Sequence, residues 1–374
     1  MITMERVQNY YRQLHKVPEQ SGSEYLTSKY ISQILRDQGY VPNSVGKTSV
    51  YADLIADLSL PWVLMRADMD ALPVTEQTNL PFSSEHPGWM HACGHDSHCA
   101  MLLEATGKLR HKKLPHNIRF LFQSAEEVTQ GALEAIHHGV IPAHLVACFA
   151  MHVWPGVPRG TVATRSGALM ASSDVYRIQI KGRSAHCAQN HKGLDALQTA
   201  VHIAAKLPEI RKAAKDDKTL LFCGSIHSGT SHNIVPEDAY LYGTLRTFLK
   251  SEREAIIQLL EASVAEAADL FGTQAYIEWE GGCPAVSNSP ELVKICEGII
   301  SGLDCNVPAT LAGEDFAYYQ EYAPGVMLWL GTGDTPPLHN GGFYVPEDLL
   351  SVGASIWEEL ACVDWYDALH NQQN

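Results

Sequence analysis

The densest run of reactive side chains is Met90-His91-Ala92-Cys93-Gly94-His95-Asp96-Ser97-His98-Cys99. Cys93 and His95 flank Gly94, and a glycine lets the backbone bend so that two nearby side chains converge. Thiolate and imidazole together suit a borderline-soft divalent ion such as zinc, cobalt, nickel or manganese. A reactive loop thiol beside a solvated histidine is the plain alternative. Asp96 falls where a helix N-cap belongs, ahead of the apolar-periodic run 99–109. His98 and Cys99 fall inside that helix and read as core residues.

Ala125-Glu126-Glu127 follows a short apolar run at 118–123 that reads as a buried strand. Adjacent carboxylates cannot point the same way, so one can bind an ion while its neighbour faces a bound water. Hydrolysis at a metal needs that pairing: an ion to lower the water's pKa and a carboxylate to take its proton. The ordinary reading is that acids favour the first turn of a helix on dipole grounds. His152 leaves the run 145–151 into Trp154-Pro155-Gly156, and His339 lies in Pro336-Pro337-Leu338-His339-Asn340-Gly341-Gly342. Ligands gather at such strand ends in α/β sheets, although either histidine alone also reads as a surface residue. Asp68 and Asp70 follow a strand and lie on one side of the chain. There, one of them can hold a ligand histidine in its metal-binding tautomer, and a capped turn is the competing reading.

Farther along, His186 follows a strand, Asn233 lies in Ser231-His232-Asn233-Ile234-Val235-Pro236, and Arg246 ends a strand. An arginine fork grips a carboxylate, yet taken singly all three read as surface polar residues. The sequence has no Gly-x-Ser-x-Gly elbow, no phosphate-binding loop and no His-Glu-x-x-His.

The elements that must position these groups fall into two patterns. Amphipathic helices are predicted at 4–16 and 23–38, with Pro18 between them and Gly39 as a stop. Strands at 49–57, 62–66, 118–123 and 145–152 alternate with helices near 95–109 and 125–138. That alternation argues for an α/β layer with its chemistry on loops at strand ends. From about Met170 the order becomes strand 174–181, helix 194–214, strands 220–227 and 239–248, helix 251–271 and strand 274–280. This β-α-β-β-α-β order is the split βαβ unit of a ferredoxin-like domain. The α/β rhythm resumes near Pro284. The predicted organisation is a metal-binding catalytic domain of residues 1–170 and 284–374, interrupted by a domain of residues 171–283. Residues 370–374 are expected to fray.

The bulk numbers agree with two folded domains. The chain has 374 residues, 45% of them hydrophobic and 18% charged, which is globular composition at a length that exceeds one core. A net charge of −15 argues against nucleic acid or an anionic membrane surface as partner. A small anionic substrate needs only one local arginine. No stretch approaches the roughly 18 apolar residues of a membrane helix, and residues 1–11 lack the apolar core of a signal peptide, so the cytoplasm is expected. Nine scattered cysteines predict reduced thiols.

Along nearly the whole chain, a series of segments falls in a familiar order. They are Leu14-His15 with Pro18-Glu19, Arg66-Ala67-Asp68-Met69-Asp70-Ala71-Leu72-Pro73, Met90 to Asp96, and Gln123-Ser124-Ala125-Glu126-Glu127. They continue with His152, residues 182–186, Asn233-Ile234-Val235-Pro236, Gly313-Glu314-Asp315-Phe316 and Leu338-His339. Together they resemble the aminoacylase/carboxypeptidase superfamily of two-metal peptidases, in its hippurate hydrolase branch. The resemblance implies an α/β fold: a zinc-peptidase-like catalytic domain with an inserted ferredoxin-like α+β lid that forms a homodimer. It implies two divalent ions (Zn, Mn, Ni or Co) on Cys93, His95, Glu127, His152 and His339, with Glu126 as general base and Asp70 supporting a metal-bound histidine. By the same resemblance, His186 reaches from a partner subunit toward the oxygen of the tetrahedral intermediate, and Asn233 and Arg246 grip the substrate carboxylate. The implied activity is hydrolysis of the amide bond of N-acyl-L-amino acids. A dipeptidase or carboxypeptidase with the same centre, and a non-catalytic binding protein of the same fold, are the alternatives. Two departures stand out. Gly182-Arg183-Ser184-Ala185-His186-Cys187-Ala188-Gln189-Asn190-His191 lacks the family's paired glycines and proline, and Ser124 replaces the proline of its Gln-Pro-Ala-Glu-Glu run. Both leave the expected ligands and base in place and bear on lid geometry.

Overall fold

A computed structural model describes residues 2–371. Of the segment expected to fray, His370 and Asn371 close a final helix, and residues 372–374 lie outside the described residues. The chain divides into two compact units. The first comprises the chain up to Leu169, Val286–Pro308 and the chain from Asp315 onward; the second comprises Met170–Ala285 and Ala309–Glu314. The return of the first domain is therefore interrupted once more. The strip Ala309–Glu314 belongs with the second unit, where the Ala171 N–H donates to the carbonyls of Thr310 and Ala312 at 3.0 and 3.1 Å.

In chain order, the first stretch forms α1 (Ile2–His15), α2 (Tyr25–Asp37), β1 (Asn43–Val45), β2 (Ser49–Leu54), β3 (Trp62–Asp68), α3 (His95–Leu109), β4 (Asn117–Gln123), α4 (Gly131–His137), β5 (Leu145–Pro155), β6 (Val162–Ala163) and β7 (Gly167–Met170). The second unit holds β8 (Ser173–Lys181), β9 (Ala185–His186), α5 (Ala196–Arg211), β10 (Leu220–Ser228), β11 (Ile234–Val235), β12 (Asp238–Arg246), α6 (Lys250–Phe271) and β13 (Gln274–Cys283). The return adds β14 (Val286–Asn288), α7 (Pro290–Ile299), β15 (Gly325–Gly333), α8 (Leu349–Ala361) and α9 (Trp365–Asn371).

The main sheet of the first unit has seven strands in the order β1-β2-β4-β3-β5-β15-β6. Strands β4, β3, β5 and β15 run parallel and are buried almost throughout, which is why they read as continuous apolar runs. Register aligns their C-terminal ends: Asp68 lies opposite Gln123, and Arg66 opposite Ala150. Asp70 and Ala125–Glu127 consequently leave the sheet at one edge, where loops of α/β sheets collect ligands; His152, expected to leave its strand, instead lies within β5 opposite Trp329. Helix α3 is buried nearly all round, as befits a core helix.

The helix expected over 125–138 begins only at Gly131. Ala125 and Thr129 take left-handed backbone, with φ of 56° and 54°, so the chain turns before it can wind. Glu126 and Glu127 sit in that turn, and the helix-dipole reading of the acid pair falls away.

In the second unit the sheet order is β10-β12-β8-β13, all antiparallel, which is the ferredoxin-like topology. Tyr176, Ile178 and Ile180 of β8 alternate inward and pack with Ala200, Ile203, Leu260 and Val264 of the two helices. Strand β10 forms an edge. Among the described residues no helix is long and apolar enough to cross a membrane.

Candidate metal centre

Gly94 explains how the Cys93–His95 pair reaches the sheet. Its φ is 88°, and a Cβ there would lie 2.5 Å from Val153 Cγ2, so only glycine permits the approach. Gly94 also takes the N-cap position of α3. Asp96 is therefore not the cap the sequence suggested but a residue of the first turn. The approach sets Cys93 Sγ 3.4 Å from His152 Nε2. His339, with a left-handed φ of 64°, donates its N–H to the Ala92 carbonyl at 2.8 Å, which pins its loop to the Cys93 loop.

Three overlapping groups result. The donor atoms of Cys93, His95 and His152 lie within 4.8 Å of one another, as do those of Cys93, Glu127 and His339, and those of His95, Glu126 and Glu127. The five side chains expected as ligands and the expected base are thus brought together, all from the first unit. Every one is buried or largely buried except His339.

The hydrogen bonds orient the rings. His95 Nδ1 lies 3.1 Å from Asp70 Oδ1; an ionised carboxylate only accepts, so Nδ1 donates and Nε2 is the nitrogen turned toward Glu127. His152 Nδ1 donates to the Val153 carbonyl at 2.6 Å, which leaves its Nε2 lone pair toward Cys93. His95 Nε2 and Glu127 Oε1 are 3.7 Å apart, and both are buried without a hydrogen-bond partner. Buried polar atoms without a hydrogen-bond partner are costly, and a cation between these two would satisfy both. The donor set of thiol, imidazole and carboxylate fits a divalent ion of the zinc and manganese kind.

Electrostatics point the same way. Burial raises the Cys93 thiol well above its usual range, and Glu127, Glu126 and Asp68 push it further. Burial lifts Glu127 to about 7; His95 opposes the rise and Asp70 adds to it. Burial works against charge on His95, yet Asp68, Asp70 and Glu127 outweigh it and raise the ring to about 10. The raised Cys93 thiol and His95 ring keep protons that a bound metal would displace.

One carboxylate serves two ligands: Asp70 also accepts from the Glu127 N–H at 3.0 Å and from Ser21 Oγ at 2.7 Å. The sequence reading missed His98, which it took for core. The Val153 N–H donates to His98 Nε2 at 2.9 Å, and His98 Nδ1 lies 2.6 Å from Asp68 Oδ1. The ring is therefore neutral, donates to Asp68, and clamps the peptide that orients His152. Arg66 in turn donates to Asp68 and Asp315. The available signal was spacing, since His95 and His98 lie three apart on one helix face.

The remaining expected residues lie in the second unit. His186 pairs with Ile234 across the β9–β11 ribbon, its Nδ1 accepts from the Ala188 N–H at 3.1 Å, and the Asn233 carbonyl accepts from the Cys187 N–H at 2.9 Å. His186 and Asn233 are thus neighbours. Arg246 ends β12, half-buried, with its pKa lowered by that burial. Among the described residues its guanidinium makes no hydrogen bond or ion pair.

A parallel sheet with thiol, imidazole and carboxylate donors at its strand ends, interrupted by a ferredoxin-like domain, defines a hydrolase of the metallopeptidase class. The chain belongs to peptidase family M20/M25/M40, whose sequence model matches residues 64–362. It is 35% identical over 369 residues to an N-acetylcysteine deacetylase of Bacillus subtilis, covering 96% of each chain. It is 34% identical to thermostable carboxypeptidase 1 of Saccharolobus solfataricus, covering 92% of this chain and 91% of that one. Its structure resembles the crystal structure of a dinuclear metal binding peptidase of the M20 family from Bacillus subtilis, with a TM-score of 0.84, 33% identity, and coverage of 96% and 98% of the two chains.

Proposed function

We propose that the protein is a two-metal amidohydrolase that cleaves the amide bond of N-acyl-L-amino acids. One observation carries the reading: the facing, unpartnered atoms His95 Nε2 and Glu127 Oε1, buried inside a cluster completed by Cys93, His152 and His339. In this reading those five residues hold the ions. When bound, the ions supply Lewis acidity that lowers the water's pKa and polarises the acyl carbonyl.

The chain's own residues do the rest. Glu126, grouped with His95 and Glu127, takes a proton from the attacking water as its oxygen bonds to the acyl carbon. It then delivers that proton to the amine nitrogen as the C–N bond breaks, leaving a carboxylate and a free amino acid. Asp70 holds His95 in its ligating tautomer. We assign the substrate carboxylate to Arg246 and Asn233, supported by a half-buried guanidinium whose pKa burial lowers. The carbonyl oxygen we assign to His186, supplied by a second copy of the chain. The exposed Phe222 and Ile226 of edge strand β10 favour a homodimer through this unit. The nine free thiols favour a reducing compartment, the cytoplasm.

The relative named a carboxypeptidase keeps one second reading alive, peptide cleavage by the same centre. Elemental analysis of the purified chain and amine release from N-acetyl amino acids, N-benzoyl amino acids and free dipeptides test both. Two divalent ions per chain with turnover of the acylated substrates is the expected result. Turnover of dipeptides alone selects the second reading, and full activity in a metal-free chain overturns both. Bound metal without turnover of any substrate makes the protein a binding protein.

A further inference from the structure

The mechanism leaves Leu14-His15 and Pro18-Glu19 without a task. His15, the last residue of α1, is buried. Each of its ring nitrogens faces a carboxylate: Nδ1 lies 2.6 Å from Asp96 Oδ2 and Nε2 lies 3.3 Å from Glu76 Oε1. Ionised carboxylates only accept, so both nitrogens donate and the ring is a cation.

The two carboxylates belong to different loops. Asp96 follows His95 at the start of α3. Beside Glu76, Gln77 donates its N–H to the Gly341 carbonyl at 2.7 Å, two residues beyond His339. Gly341 has no room for a side chain, since a Cβ would lie 2.5 Å from the Thr75 carbonyl oxygen. The same N-terminal segment reaches His95 by a second route. The Ala71 N–H donates to the Glu19 carbonyl at 2.9 Å, and Ser21 Oγ donates to Asp70 Oδ2 at 2.7 Å.

We propose that His15 is a positioning residue, a buried cation that ties the loop carrying Cys93 and His95 to the loop carrying His339, with Ser21 completing the brace through Asp70. A ring with two diverging donors can hold a carboxylate on each side, whereas a neutral amide turns its oxygen toward one of them. The consequence for metal binding rests on the metal-centre reading above; the brace itself does not.

The test uses the full chain in wild-type, His15→Gln and Glu76→Gln forms. Hydrogen exchange of the metal-free proteins reads the brace directly, through residues 91–98 and 337–342. Titration with Mn²⁺ or Zn²⁺, together with kcat and KM, reads its consequence. Both loops should exchange faster in the variants. Metal affinity should fall about tenfold to a hundredfold in His15→Gln and about tenfold in Glu76→Gln, with kcat falling more than KM rises. A residue that merely stabilises the fold would lower the melting temperature and leave affinity and kcat at wild-type values. Unchanged exchange in both loops, or wild-type affinity and kcat in a folded variant, overturns the proposal. Should His15→Gln fail to fold, Glu76→Gln, which keeps the ring and its bond to Asp96, decides the matter by the same two readouts. A wild-type chain that binds neither ion counts against the metal-centre reading alone, because the exchange result stands without metal.

Discussion

The first unit buries His15, Asp68, Asp70, His91, His95, Asp96, His98, Glu126 and His152, while the second buries three acids, Asp174, Glu252 and Glu314, and no histidine. Asp174 pairs with Arg253, and Glu252 accepts the N–H groups of Lys215 and Asp216. The second unit is held by alternating apolar residues on a half-covered sheet, and removing water from them stabilises it. The first unit buries facing polar atoms without a hydrogen-bond partner, His95 Nε2 and Glu127 Oε1, which costs stability. Departures from ordinary burial mark the places where structure serves chemistry.

The largest effect that would break this contrast lies in the base. Glu126→Gln should lower kcat by about a thousandfold while metal content stays at the wild-type level; substantial residual turnover would remove Glu126 from the reaction. Next comes acid sensitivity, which should reside in the first unit. His116 is buried, and that burial lowers its pKa from 6.5 to about 4. A lowered value favours the folded state above pH 6.5, and the advantage is lost as pH falls toward 4. The loss amounts to about 3 kcal/mol. Urea unfolding at pH 7 and at pH 4 measures it, and a His116→Phe variant should flatten the slope.

Metal loading sharpens the contrast further. Cys93→Ser should weaken ion affinity by about tenfold to a hundredfold, seen by titration of the metal-free chain, and wild-type affinity would contradict its ligand role. The smallest effect belongs to the second unit: Arg246→Lys should raise KM by about tenfold, with metal content and kcat nearly unchanged. A loss of metal in that variant would blur the division of labour between the units.

Much of the fold was legible because its signals are local. The β-α-β-β-α-β order was read from periodicity, and β8 alternates inward and outward residues as its sequence does. Strand β4 and helix α3 were likewise visible as a short apolar run and a periodic segment. The candidate centre was legible in kind: residue type and spacing made Cys93, His95, the Glu126–Glu127 pair, His152 and His339 candidates, the family resemblance gave the five-residue set, and those five side chains converge.

Other features depend on contacts that no window of sequence contains. The turn holding Glu126 and Glu127 requires left-handed Ala125 and Thr129, an arrangement that neither residue type advertises. His98 looked like core until Val153 supplied a donor from 55 residues away, and Asp96 looked like a cap until His15 approached across 81. Sequence by itself determined which side chains were available and the periodicity of the elements that carry them, because both follow from residue type and near neighbours. Tertiary structure decided which donor each ring keeps and which carboxylate faces it. Those choices follow from the register of parallel strands and the close approach at Gly94, and both are set by packing across the chain.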